Sequence, residues 1–321
     1  MATAVAIAEA LHFSLASGLG VHRQRRPPLL RLSFISSVNS YGLFYFDQFR
    51  HSCLRRKTTN YVLRTKVKLE DGVDDDACEL VNGTELLIGE SGDSFRAYLF
   101  KAVKNNNGTG LLLLSDIFGF EDSSTRDFAY QIACNGYNVL VPDLFRGDPW
   151  KKWQPAAELE HWLARQHPER VAKDIESSTK WMIDEFTAAG ISKKLGVIGF
   201  CFGGGRLMEA LAKNSHFRTG ICFYGTRINL SLAEFINVPV LFICGDEDPL
   251  CPMSLVLEME KTIEGSKAVI FSGRGHGFAH RPESHEDDRD AEDAFNLLRN
   301  WLKHHLILDQ ENSVLNSQNR R

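Results

Sequence analysis

The chain has 321 residues, 43% of them hydrophobic, with 37 Lys and Arg against 41 Asp and Glu, a formal net charge of −4. The charge is uneven: residues 1–63 hold eight of the basic and two of the acidic residues, so residues 64–321 carry net −10 and offer no basic face for nucleic acid. Seven cysteines, an odd number with no C-x-x-C pair, exclude a disulfide scaffold and argue against a structural zinc site, and they read as a reducing compartment.

Residues 1–63 begin Met-Ala-Thr-Ala, are scattered with serine, and place Arg23, Arg25, Arg26, Arg31, Arg50, Arg55, Arg56 and Lys57 against only Glu9 and Asp47. This profile predicts an organelle transit peptide, with chloroplast import as the first expectation and mitochondrial import as the alternative. The apolar stretch 2–19 is interrupted by Glu9 and His12 and precedes the basic cluster, so it fits neither a secretory signal nor a membrane span. Residues 64–308 are expected to form one α/β domain, and residues 309–321 a polar tail.

Strands are predicted at 85–88, 95–101, 110–115, 138–142, 194–199, 219–224, 238–245 and 267–272. Runs such as Leu111 to Leu114 and Val240 to Ile243 are apolar on both faces, as strands of a helix-covered parallel sheet must be. Segment 95–100 instead alternates, Phe95, Ala97 and Leu99 against Arg96, Tyr98 and Phe100, which suits a half-exposed antiparallel start. Helices are predicted at 123–135, 156–189 with a break near His167-Pro168, 204–214, 254–263 and 289–306. Such alternation gives a doubly wound, mostly parallel sheet flanked by helices, which binds ligands beyond the carboxyl ends of its strands.

Three loops at those ends carry chemistry. Gly199-Phe200-Cys201-Phe202-Gly203 has the spacing of a nucleophile elbow, where glycines two residues to either side make room for a sharp strand-to-helix turn. Cys201 would there sit over free N–H groups of a helix, which favour a thiolate and the oxyanion it creates. Gly245-Asp246-Glu247-Asp248-Pro249 is an acidic turn leaving a strand, and Gly275-His276-Gly277 sets a histidine among glycines after the last strand. Nucleophile, acid and histidine in that order is the arrangement of α/β-hydrolases, with His276 as base and Asp248 as its orienting acid; Asp246 is the alternative acid. A fourth loop, Asp116-Ile117-Phe118-Gly119, follows strand 110–115. There the Ile117 N–H can join that of Phe202 as an oxyanion hole, and the Asp116 carboxylate would repel a thiolate and keep Cys201 protonated until substrate arrives.

Together, Gly199 to Gly204, Gly245 to Asp248, Gly275 to Phe278 and Asp116 to Gly119 resemble the dienelactone hydrolase (carboxymethylenebutenolidase) family over about residues 80–306. The resemblance implies an α/β-hydrolase fold and hydrolysis of a lactone or carboxylic ester through Cys201, Asp248, His276 and a thioester, with no cofactor and no metal. It also implies that Asp116, one methylene shorter than the glutamate of the bacterial enzymes, contacts the cysteine, and that arginines hold an anionic substrate. Arg281 and, in the stretch Pro142 to Trp150, Arg146 are the candidates, with Trp150 as an apolar wall. The expected partner is a small-molecule ester or lactone, with neither nucleic acid nor membrane, acted on by a monomer or weak homodimer. Alternatives are a broad acyl thioesterase or carboxylesterase, a non-catalytic hydrolase-like receptor, and a thiol redox sensor in which Cys251 resolves an oxidised Cys201.

Overall fold

The structure, a computed structural model, describes residues 81–189, 195–213 and 216–308. The transit peptide expected at 1–63, the first residues of the expected domain and the tail 309–321 lie outside the described residues. Eight strands form one sheet: β1 (Val81–Ile88), β2 (Phe95–Ala102), β3 (Gly110–Leu114), β4 (Asn138–Pro142), β5 (Leu195–Phe200), β6 (Phe217–Phe223), β7 (Val240–Gly245) and β8 (Lys267–Phe271), in the order β1-β2-β4-β3-β5-β6-β7-β8. Strand β2 pairs antiparallel with both β1 and β4, and every other pairing is parallel. All five residues of β3 and of β4 are buried, as are all six of β5 and β7, which is why these segments read as unbroken apolar runs. The first strand begins four residues before the expected 85, because polar Asn82, Gly83 and Thr84 still pair across to β2.

The helices are α1 (Ser123–Cys134), α2 (Leu159–Arg165), α3 (Pro168–Ala188), α4 (Phe202–Lys213), α5 (Met253–Thr262) and α6 (His285–Leu302). The predicted break falls between α2 and α3: His167 takes an extended ψ of 118° and Pro168 opens the new helix, where its missing N–H costs nothing. Helix α6 starts four residues earlier than predicted. Ser284 caps it by accepting the Asp287 N–H at 3.0 Å, and Glu286, Asp287 and Asp288 complement its dipole, although that acidic first turn has no apolar periodicity.

Strand order and handedness place the layers. From β3 the chain crosses to β4 on one side, and from β5 it crosses to β6 on the other, so right-handed connections put α1 on one face and α3 and α4 on the opposite face. Phe128 of α1 meets Phe200 of β5, Phe223 of β6 and Phe295 of α6 edge-on at 4.8, 5.7 and 5.3 Å, which brings α6 onto the face of α1. The reversal leaves a crevice beyond the carboxyl ends of β3 and β5, where this architecture binds ligands. Among the described residues, no helix is long and apolar enough to cross a membrane.

Candidate active site

The turn after β5 follows the steric rule that its glycines imply. Cys201 has φ of +49°, a left-handed conformation that costs a non-glycine residue energy and turns its side chain away from the sheet. A Cβ on Gly199 would stand 2.5 Å from the Gly203 carbonyl oxygen, and one on Gly203 would stand 2.2 Å from the Leu114 carbonyl oxygen of β3. Neither position can hold another residue without moving backbone. The Cys201 N–H donates to the Phe223 carbonyl at 3.1 Å, while the Cys201 carbonyl accepts from Thr226 at 2.9 Å, so the turn is anchored across β6.

The helix following this turn begins at Phe202, two residues earlier than predicted, so the Phe202 N–H heads α4 without an intrahelical acceptor. Across the crevice, the loop after β3 brings in Ile117, whose carbonyl accepts the Trp150 N–H at 2.9 Å. Ile117 and Cys201 line one cavity of about 200 Å³ together with Asp116, Tyr224, His276 and Arg281.

His276 arrives on the loop after β8 and Asp248 on the loop after β7. The His276 Nδ1 lies 2.7 Å from Asp248 Oδ2, both side chains being almost wholly buried. The other oxygen of Asp248 accepts the Leu250 N–H at 2.9 Å, which fixes the carboxylate plane. Asp246 points elsewhere: it accepts from Ser272 Oγ at 3.0 Å and the Gly273 N–H at 2.6 Å, tying the two loops together at the surface. Of the expected acid Asp248 and its alternative Asp246, Asp248 is therefore the one that meets the histidine. The His276 Nε2 is buried and makes no hydrogen bond of ordinary geometry. Burial alone would lower the pKa of this imidazole, but the nearby Cys201 sulfur and the hydrogen-bonded Asp248 carboxylate outweigh it and push it up to about 10.

Other expected residues are placed differently. The Asp116 carboxylate does not spend itself on the thiol: it accepts the Phe118 N–H at 3.0 Å, the His280 ring at 3.1 Å and the Arg281 guanidinium at 2.8 Å. Burial would raise its pKa, yet His280 and Arg281 hold it well below the usual carboxylate range. Arg281 does line the cavity, with its guanidinium shared among Asp116, Asp122 and Ser124 and lying 4.7 Å from the Phe118 ring. The expectation that Arg146 binds substrate is corrected: its Nε and Nη2 clamp the buried Asp174 at 3.0 and 2.6 Å and its Nη1 bonds Asp93, a structural tie between the β1–β2 turn and α3. Trp150 is corrected as well. It is buried against Trp162, with centroids 5.7 Å apart, and supports the Ile117 loop without lining the cavity.

Cys251 is hydrogen-bonded to Cys244, and this bond together with burial raises its pKa well above that of an ordinary thiol. It is therefore a poor resolving partner for Cys201. Two residues of the site escaped the sequence reading of function, Tyr224 and His280. Their one signal was the second histidine in Phe278-Ala279-His280-Arg281, four residues past His276.

A nucleophile over a helix N-terminus, an imidazole oriented by a carboxylate and a second N–H across a small cavity can carry acyl transfer. Comparison with known proteins agrees. The model of the dienelactone hydrolase family matches residues 95–306. A human carboxymethylenebutenolidase homolog is 30% identical over 223 residues, 67% of this chain and 89% of that protein, and the mouse homolog is 28% identical over 240 residues, 70% and 96% respectively. A dienelactone hydrolase structure from Anabaena variabilis superposes with a TM-score of 0.56 at 17% identity, covering 71% of this chain and 99% of the other, a likeness of fold. The chain belongs to the dienelactone hydrolase family and is an α/β-hydrolase acting on ester or lactone bonds.

Proposed function

We propose that the chain hydrolyses small carboxylic esters and lactones through Cys201, His276 and Asp248. The observation that carries this reading is the left-handed Cys201 on the cavity that His276 also lines, with Asp248 2.7 Å behind the imidazole. Thiolate sulfur attacks the acyl carbon, and the oxyanion is received by the N–H groups of Ile117 and Phe202. The imidazolium of His276 protonates the departing alkoxide, leaving a thioester on Cys201. Neutral His276 then takes a proton from water, whose hydroxide attacks the thioester and expels the thiolate. Asp248 keeps Nδ1 protonated and stabilises the imidazolium in both halves.

The catalytic groups in these steps all come from the chain and the second nucleophile is water, so no metal or cofactor is invoked. The relatives described as carboxymethylenebutenolidase homologs favour a lactone as one substrate class. A cavity of about 200 Å³ favours a compact acyl group over a long fatty chain. An anionic substituent would meet Arg281 there and would have to share it with Asp116.

The test is hydrolysis of p-nitrophenyl acetate and of a simple aryl lactone, with rapid quenching and mass spectrometry of the Cys201 peptide. Acylated Cys201 and loss of turnover in Cys201→Ala support the reading; turnover within tenfold of the wild type in Cys201→Ala removes it. The N-terminal residues 1–63 belong to the same proposal as a plastid address, and the enzyme is taken to act as a monomer or weak homodimer. A fluorescent fusion of residues 1–70 that stays in the cytosol would end the address, and light scattering of the purified chain reads its mass.

A further inference from the structure

A second imidazole shares the cavity. The His280 ring stacks on Phe200 with centroids 4.2 Å apart, its Nε2 lies 3.1 Å from Asp116 Oδ2, and its Nδ1 is hydrogen-bonded to the Tyr224 hydroxyl. Tyr224 in turn places its ring edge-on to His276, 5.1 Å between centroids, and has φ of +35° at the end of β6. Tyr224 and His280 are both buried and both line the cavity of Cys201.

Donor and acceptor counting fixes the hydrogens. Asp116 is ionised because Arg281 lies 2.8 Å away, and an ionised carboxylate only accepts, so His280 Nε2 carries a hydrogen. Burial lowers the pKa of His280 below the ordinary histidine range, which leaves the ring neutral at neutral pH and its Nδ1 an acceptor. Burial and the nearby Asp116 raise the pKa of Tyr224 well above that of a free phenol, so the phenol keeps its hydrogen and gives it to Nδ1.

We propose that His280 is a positioning residue: held by Asp116 in the Nε2–H tautomer, it draws the Tyr224 hydroxyl hydrogen toward itself and leaves the phenolic oxygen as an acceptor. The inference rests on the Cys201 reading for its effect on turnover, but not for the tautomer. At neutral pH Tyr224 is thereby withheld as a donor, and the oxyanion is left to the N–H groups of Ile117 and Phe202. Protonation of His280 makes Nδ1 a donor, and the Tyr224 hydrogen must then turn to another acceptor. The charged and titratable groups around His280 are Asp116, Asp122 and Arg281 on one side and Tyr224, Cys201 and His276 with Asp248 on the other, with Lys152 and Glu283 lining the same cavity.

The experiment is nuclear magnetic resonance on the full chain labelled with ring-15N histidine and 13Cζ tyrosine, paired with the pH profile of p-nitrophenyl acetate hydrolysis. His280 is expected as the Nε2–H tautomer at neutral pH and to titrate below the usual value of about 6.5, with the Tyr224 13Cζ signal moving on the same curve. Tyr224→Phe keeps the ring against His276 but removes the donor to His280 Nδ1, which stabilises the neutral ring, so the His280 titration is expected to move to higher pH. His280→Gln can span the same two partners with its amide oxygen and nitrogen but takes up no proton, so the acid-side step assigned to His280 should vanish from its profile. An Nδ1–H or doubly protonated ring at neutral pH, a Tyr224 signal indifferent to the His280 titration, or a step that survives His280→Gln overturns the inference. Wild-type protein that turns over no ester would remove the hydrolase reading instead, and the tautomer measurement would still decide this one.

Discussion

Replacing Asp248 by Asn tests the site most sharply, because the two oxygens of this carboxylate have different partners. One accepts the Leu250 N–H at 2.9 Å and the other accepts from His276 Nδ1 at 2.7 Å. Asparagine has one acceptor and one donor. If its oxygen keeps Leu250, its NH₂ faces Nδ1 and forces the imidazole into the Nε2–H tautomer, which cannot receive a proton from thiol or water. If the amide flips to keep His276, its NH₂ is driven against the Leu250 N–H, and the charge that stabilised the imidazolium is gone in either case. With the imidazole wholly buried, water does not replace that charge. The expected loss in kcat is about a thousandfold to ten-thousandfold, with KM little changed. Steady-state hydrolysis of p-nitrophenyl acetate reads it, with circular dichroism to confirm folding. Asp246→Asn is the control, since its oxygens hold Ser272 and Gly273 outside the cavity, and it should cost less than about threefold. A loss below tenfold in Asp248→Asn, or an equal loss in Asp246→Asn, would refute the reasoning.

Gly203→Ala pushes a Cβ to 2.2 Å from the Leu114 carbonyl, so it should lower Tm by about 5–10 °C in a thermal melt and abolish turnover by shifting the elbow. Arg146→Ala frees the buried Asp174 from two of its hydrogen bonds, while Arg170 still holds that carboxylate at 3.0 Å. Urea unfolding should show a loss of about 1–3 kcal/mol, with KM for the ester unchanged within about twofold; a KM raised tenfold would return Arg146 to the substrate. Asp116 has a folded pKa depressed below its unfolded value, so its contribution to stability is present above pH of about 4 and lost as pH falls below that. Urea midpoints should therefore decline on acidification in the wild type and decline less in Asp116→Asn, which begins about 1–3 kcal/mol less stable at neutral pH because Arg281 loses one carboxylate while keeping Asp122. Equal acid slopes in the two proteins would contradict this.

Features that depend on short spacings were legible in the chain before any fold was known. Glycines two residues either side of Cys201 specify the turn because the clash they avoid is local, within the loop and against the adjoining β3. The all-apolar runs of β3, β4, β5 and β7 specify burial on both faces, and the order of Cys201, the acidic turn and His276 along the chain places all three at one end of the sheet. Antiparallel β1 and β2 were legible from alternation, whereas the start of α6 was hidden by an acidic first turn that stabilises the helix through its dipole rather than through apolar contacts. Folding separates Asp248, the acid expected from the sequence, from the alternative Asp246 two residues away on the same turn, through the direction of their side chains. It also decided what the arginines do. A guanidinium goes to whichever buried carboxylate folding brings within reach, and Asp174 lies 28 residues from Arg146 while Asp116 lies 165 residues from Arg281. The pairing of Tyr224 with His280 spans 56 residues for the same reason. Hydrogen-bond partners across such separations leave no period or spacing in the chain, so the elbow could be read in advance and the polar network behind it could not.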